Sequence, residues 1–278
     1  SVDTFHPGIL PSSIAFASCS KQYLPQDYWS VISGFNPDGF FWIGDAVYVK
    51  NSGTLEDMKE AFDMIKGNTF YDEFLKEGTF VDGVWDDHDY GVNDAGKGLN
   101  HPMERQGIFL DFLDVEKGSP RRSRNGLYSS HTFGSPPTQV KVILLDVRTH
   151  RSNYFFPVPP YNGLTGAIMS ALGRGLTSLS GLAFSYGGDV LGEEQWTWLE
   201  DQLRGSEASF NLVVSSIQVL TSNPVTESWA HFPRARRRLL RLLQETQPRG
   251  LLLVSGDVHL AEFLSGVPPP GAGGPRCE

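Results

Sequence analysis

Gly250-Leu-Leu-Leu-Val-Ser-Gly-Asp-Val-His259 decides how this chain is read. Four apolar residues bounded by Gly250 and the pair Ser255-Gly256 predict a short buried strand. The strand stops at Gly256, and Asp257 and His259 follow two positions apart. A carboxylate and an imidazole at the end of a buried strand are two metal-ligand types held on a rigid mount.

Five other stretches share this grammar of an apolar run that ends in polar residues. They are Ile14–Ser20, Phe40–Tyr48, Phe80–Asp89, Val140–Arg148 and Leu212–Gln218. In open α/β sheets, ligands bind just outside the carboxyl ends of the strands. The six ends offer Cys19, Asp45, Tyr48, Asp86, Asp87, His88, Asp89, Arg148, Gln218, Asp257 and His259, and their recurrence predicts one shared site.

The bulk numbers narrow the function classes. At 278 residues the chain has room for a sizeable core, and 40% apolar with 20% charged residues is ordinary globular composition. No apolar run approaches the roughly 20 residues that span a bilayer. The first residues, Ser1 to Pro7, carry neither the basic nor the long apolar region of a signal peptide. The chain also lacks a starting Met, which fits a mature form or a fragment, so the compartment stays open. A net charge of −9 argues against a general nucleic-acid binder. A phosphate-ester substrate remains compatible, because bound cations reverse the local field. Oligomeric state is not legible. Cys19 and Cys277 lie at opposite ends; a disulfide between them has no support, and two cysteines do not make a disulfide scaffold.

Between the strands, helices are expected over Gln22–Phe35, over Leu55–Lys76 with an interruption at Gly67-Asn68, over Glu104–Leu113, from Gly192, and over Phe232–Glu245. The last carries Arg234, Arg236, Arg237, Arg238 and Arg241. Lying between two strands, it reads as a crossover helix with a solvated basic face. Tyr128–Phe133 is expected to pair antiparallel with Val140–Leu145. Residues 152–188 are rich in Pro, Gly, Ser and Leu with weak periodicity, and are expected to form an irregular insertion or lid. Residues 1–267 read as one domain and 268–278 as a flexible Pro/Gly tail.

Hydrolysis of a phosphate ester needs an activated water, compensation for phosphoryl charge and help for the leaving oxygen. Two metals bridged by a carboxylate supply the first two. Asp45 follows Gly44 at a strand end and is the bridging candidate, with Asp87 and Asp257 as further ligands. Cys19 reads either as a buried small hydrophobe or as a thiolate ligand or nucleophile. Tyr48 reads either as a packing residue or as a ligand beside Asp45. Trp85-Asp-Asp-His-Asp89 reads as an acidic turn or as carboxylates compensated by a cation, with His88 left to transfer a proton. Asn93 sits in a polar, Gly-rich loop over that site. Arg148 suits a phosphate, or else an internal contact with Asp146. Gln218 is the remaining substrate-binding candidate.

The ordered series Phe16-Ala-Ser-Cys19, Gly44-Asp-Ala-Val-Tyr48, Trp85–Asp89, Leu145-Asp-Val-Arg148, Ser215-Ser-Ile-Gln218 and Ser255-Gly-Asp-Val-His259 resembles the PhoD-like branch of the calcineurin-like metallophosphoesterases, from about Ile14 to Phe263. The resemblance implies a four-layer αββα sandwich, phosphomonoesterase or phosphodiesterase activity, and an Fe3+ plus Ca2+ centre, with another divalent ion as an option at the second site. It also implies Cys19, Asp45 and Tyr48 as iron ligands, Asp87 and Asp257 as shared or second-metal ligands, His259 as a further ligand and His88 as the catalytic histidine. A thiolate with a phenolate suits a ferric ion better than magnesium. Asp89 departs from the family pattern, where Glu stands. The chain ends soon after His259, where family members continue with strands, so the sandwich is expected to be incomplete there. A catalytically weak relative that binds or regulates is the alternative reading.

Overall fold

A computed structural model describes residues 3–9, 11–50, 53–156 and 164–265. The Pro/Gly tail and Cys277 lie outside them. Two sheets carry the fold. One has three parallel strands in the order β2–β3–β4, with β2 at Ile14–Ala17, β3 at Gly39–Ile43 and β4 at Phe80–Val84. The other has five in the order β1–β5–β6–β7–β8: β1 at Asp3–His6, β5 at Ser129–Phe133, β6 at Val140–Leu145, β7 at Phe210–Ser215 and β8 at Leu251–Val254. Among the described residues, only β5 and β6 pair antiparallel.

The period-2 alternation of side chains assigns the layers. Along β3, Phe41 and Ile43 point toward the second sheet, where they meet Val142 and Leu144 of β6 and Val214 of β7. Phe40 and Trp42 point the other way, into a cluster with Trp29, Phe62, Phe74 and Phe109. On the far side, Ile143, Leu145 and Val213 meet Trp196, Leu199, Leu239 and Leu242. Each fully buried Phe or Leu contributes about 1.5–3 kcal/mol. The result is helices, sheet, sheet, helices, as the resemblance implies.

The helices follow the sequence signals closely. Thr54 caps α2 (Leu55–Lys66) through a reciprocal bond with Asp57, and Asn68 caps α3 (Thr69–Lys76), which is why the segment breaks at Gly67-Asn68. Helix α1 spans Tyr28–Gly34, α4 Asp87–Tyr90 and α5 Pro102–Phe112. Four elements differ from expectation. Helix α1 begins at Tyr28, not at Gln22, and α4 forms where no helix is expected. β1 forms where no strand is expected, because Phe5 is its single apolar residue and stands exposed among polar neighbours. Residues 164–180, expected to be irregular, form the helix α6, Leu164–Ser180. Gly166, Gly173 and Gly175 lower its helix propensity by about 1 kcal/mol each relative to Ala, which hides it. Residues 157–163 of the expected insertion lie outside the described residues. Helix α7 (Glu193–Arg204) precedes β7, and α8 (Pro233–Thr246) crosses from β7 to β8 as the strand pattern demands.

Candidate metal centre

The carboxyl ends of β2, β3, β4, β6, β7 and β8 converge. Cys19 N donates to Gly44 O, Ser20 N to Asp45 O at 2.8 Å, and Gly256 N to Ser216 O at 3.0 Å, so the loops after β2 and β3 are fastened together, as are those after β7 and β8. Cys19, Asp45, Asp94, Asp257 and His259 all hold positive φ, between 53° and 70°. That left-handed backbone is uncommon for non-glycine residues and clusters where a site over-determines the chain. Gly44, at φ 103°, is required: a Cβ there would stand 2.7 Å from Asp86 Cβ and 2.8 Å from Ser216 Cβ.

Asp45 is the hub. Its carboxylate lies within 4.8 Å of ligand atoms in three groups: Cys19 with His259, Asp87 with His88, and Asp86 with Asp87 and Asp257. Burial, then repulsion from Asp87, Asp86 and Asp89, drives its carboxyl far above the usual range. Asp257 is raised likewise, by burial and then by Asp86 and Glu227. Burial pushes the Cys19 thiol up to about 11 and the Tyr48 phenol higher still. Tyr48 Oη stands 2.8 Å from His259 Nε2, and its ring lies 4.4 Å from that of His88.

A cation fits these residues. Asp45 Oδ1 and Asp86 Oδ2 are buried with no hydrogen-bond partner among the described residues. A buried carboxylate oxygen left without a donor is costly, and a cation satisfies it. The donors around Asp45 are also asymmetric. Thiol, phenol and imidazole stand together in Cys19, Tyr48 and His259, while the other groups are largely carboxylate. The first set suits a transition metal, the second a hard cation.

Asp86, absent from the sequence-derived ligand set, joins Asp45, Asp87 and Asp257. Its Oδ1 accepts from Ser216 Oγ at 2.7 Å and from Arg148. The sequence offers two adjacent aspartates and no means of choosing; the short helix α4 aims both inward. Asp89 has a different task. It accepts from Val47 N and Asp86 N, each at 2.9 Å, and so ties the loop bearing Tyr48 to the start of α4.

Arg148 does not reach the pocket, contrary to its expected phosphate-binding role. Its side chain is fully buried, paired with Asp86 and forked onto Glu227 at 2.9 Å through both terminal nitrogens. Asp146 contacts only its backbone N, at 2.9 Å, while also accepting from Trp85 Nε1, Leu127 N and Thr149. Gln218 is likewise engaged elsewhere, donating to Glu262 at 2.5 Å, and is nearly buried. The open space is a cavity of about 300 Å³ whose walls include Asp87, His88, Asn93, Arg174, Asp257 and His259. Arg174 comes from α6, and its Nη1 donates to both carboxylate oxygens of Asp94, at 2.7 and 2.8 Å. Neither Arg174 nor Glu227 carries a strand-end signal, so pattern reading passes over both.

A family model described as PhoD-like phosphatase matches residues 14–268. The chain belongs to the PhoD-like phosphatase family. This PhoD-like chain also resembles a solved structure described as the structure of PhoD, with a TM-score of 0.66 at 18% identity. The match covers 88% of this chain and 51% of that one, so the PhoD-like chain spans about half the length of that structure. At that identity the likeness speaks for the fold alone. A search of curated proteins found no match. No helix among the described residues is long and apolar enough to cross a membrane.

Proposed function

We propose that this chain hydrolyses phosphate esters at the cavity beside Asp45. The supporting observation is a single carboxylate shared by three ligand groups, with one buried oxygen awaiting a partner. Cys19, Tyr48, His259 and Asp45 would hold a ferric ion, and Asp45, Asp86, Asp87 and Asp257 a calcium or another divalent ion. When bound, such cations supply charge compensation for the phosphoryl group and activation of water.

The chain's own residues do the rest. Asn93 and Arg174 line the cavity from different elements and orient the ester by donating to its phosphoryl oxygens. His88, half-buried in the same wall, passes a proton to the leaving oxygen. Arg148 acts through Asp86: its guanidinium holds that carboxylate in place and balances it against Glu227. Asp89 fixes Tyr48 by pinning Val47.

The test is hydrolysis of p-nitrophenyl phosphate and bis-p-nitrophenyl phosphate by protein reconstituted with iron and calcium, beside Asp45→Asn. Turnover in the parent and loss of at least a thousandfold in the variant are expected. A folded parent that takes up neither metal and turns over neither ester favours the binding or regulatory alternative.

A further inference from the structure

Helix α6 is turned inside out. Its inward side carries Ser170, Arg174 and Thr177, all nearly buried, with Ala167, Ala171 and Arg174 lining the cavity. Its outward side carries Ile168, Met169, Leu172, Leu176 and Leu179, which are 47–84% exposed. Spacings of four, four and three from Ile168 put Leu172, Leu176 and Leu179 on one stripe, with Met169 at its border. A water-facing helix normally shows the opposite arrangement, and a contiguous apolar patch of this kind marks an interaction surface. Phe184, in the turn that follows α6, extends the patch at 78% exposure.

Charge identifies the partner. The segment after α6 leads directly to α8: Arg234's guanidinium lies against Gly187, and Tyr186 packs on Phe232 at the start of α8. The exposed face of α8 carries Arg234, Arg237 and Arg241, one turn apart, and none of the three forms an ion pair among the described residues. Arg238 beside them is occupied by Glu193. A chain of net charge −9 thus keeps three guanidinia without ion pairs, among the described residues, on a helix that meets the segment following α6 at Arg234 and Phe232. Apolar side chains that enter the acyl boundary, beside cations that meet anionic headgroups, are the two elements of interfacial membrane binding.

We propose that α6 and the basic face of α8 dock this protein onto an anionic lipid surface, with α6 lying in the interface. Because the opposite side of α6 walls the cavity, docking sets the cavity behind that helix, close to the lipid, and favours phosphate esters presented there. The docking itself does not depend on the hydrolytic reading.

The experiment is co-sedimentation of the full chain with phosphatidylcholine vesicles and with vesicles containing phosphatidylglycerol, at low and high salt. Two variants accompany it, Leu172→Gln/Leu176→Gln and Arg234→Gln/Arg237→Gln/Arg241→Gln, with thermal unfolding to confirm that both fold. Binding to the anionic vesicles that falls with salt, about fivefold for each guanidinium removed, and that drops at least tenfold in the leucine variant, is expected. Failure of the parent to bind anionic vesicles overturns the proposal, as does parent-level binding by both variants. A dimer in sedimentation that the leucine variant converts to monomer also overturns it, because a second copy then covers the face. Binding is read without turnover, so an inactive protein leaves this result intact.

Discussion

Tyr48 Oη stands 2.8 Å from His259 Nε2, although 211 positions separate the two residues. The contact joins the loop after β3 to the loop after β8, and Cys19 completes the group from the end of β2. Tyr48→Phe removes the phenol and keeps the ring against His88. It is expected to weaken iron retention on the order of 10–100-fold and leave the thermal midpoint within a few degrees. Elemental analysis after dialysis checks the first part, and loss of any visible phenolate-to-iron absorption checks the ligand assignment. Full iron content in the variant removes Tyr48 from the ligand set.

Arg148 is a structural cation, and its replacement reads as such. Arg148→Met leaves Asp86 and Glu227 buried without their shared counter-charge, which costs about 3–5 kcal/mol in denaturant unfolding. Arg148→Lys recovers only part of this, because an ammonium cannot fork onto Glu227 while reaching Asp86. A direct substrate role predicts instead a raised KM at unchanged stability.

Gly44→Ala tests the close approach of β3 to its neighbours. The new Cβ meets Asp86 and Ser216 below 3 Å on backbone at φ 103°. Strain and overpacking together are expected to cost about 2–5 kcal/mol and to lower metal uptake more than an equal destabilisation placed in α2. A variant as stable as its parent, with full metal content, shows that the strand ends have room to shift.

A second buried cluster, away from the cavity, gives a pH dependence. Asp82 on β4 accepts from Arg121 Nη1 at 2.7 Å and lies 2.6 Å from His131 Nε2. Burial pushes its carboxyl up, but the Arg121 guanidinium and the His131 ring outweigh that and hold it well below the usual range. A depressed folded pKa stabilises above the unfolded value of about 3.9 and loses that contribution as pH falls toward the folded one. Asp82→Asn is therefore expected to lose about 3–5 kcal/mol at pH 7 and at pH 5, with a smaller deficit at pH 3. Denaturant unfolding at the three values decides; a deficit that grows on acidification reverses the sign assigned here.

The strands other than β1 and most helices are legible because each rests on local periodicity or a cap. Thr54 and Asp57, or Asn68, announce a helix start within four residues. Cys19, Asp45, Asp87, Asp257 and His259 are legible as site candidates because a strand end is itself a local signal. Arg148 has that same signal, and its burial between Asp86 and Glu227 is invisible to it. Glu227 and Arg174 have none: one sits in a polar loop, the other on a glycine-containing helix whose apolar side faces outward.

Sequence by itself determined the alternation that sorts Phe41 from Phe40 and the apolar runs that stop at polar residues. These are properties of one strand or one helix, written at spacings of two or four. Only the tertiary structure decided which carboxylates share Asp45's space, which arginine enters the cavity and which is sealed beneath it. Those outcomes depend on through-space repulsion, desolvation and pairing between groups far apart in the chain. Such energies are set by distances that exist only once the two sheets are packed together.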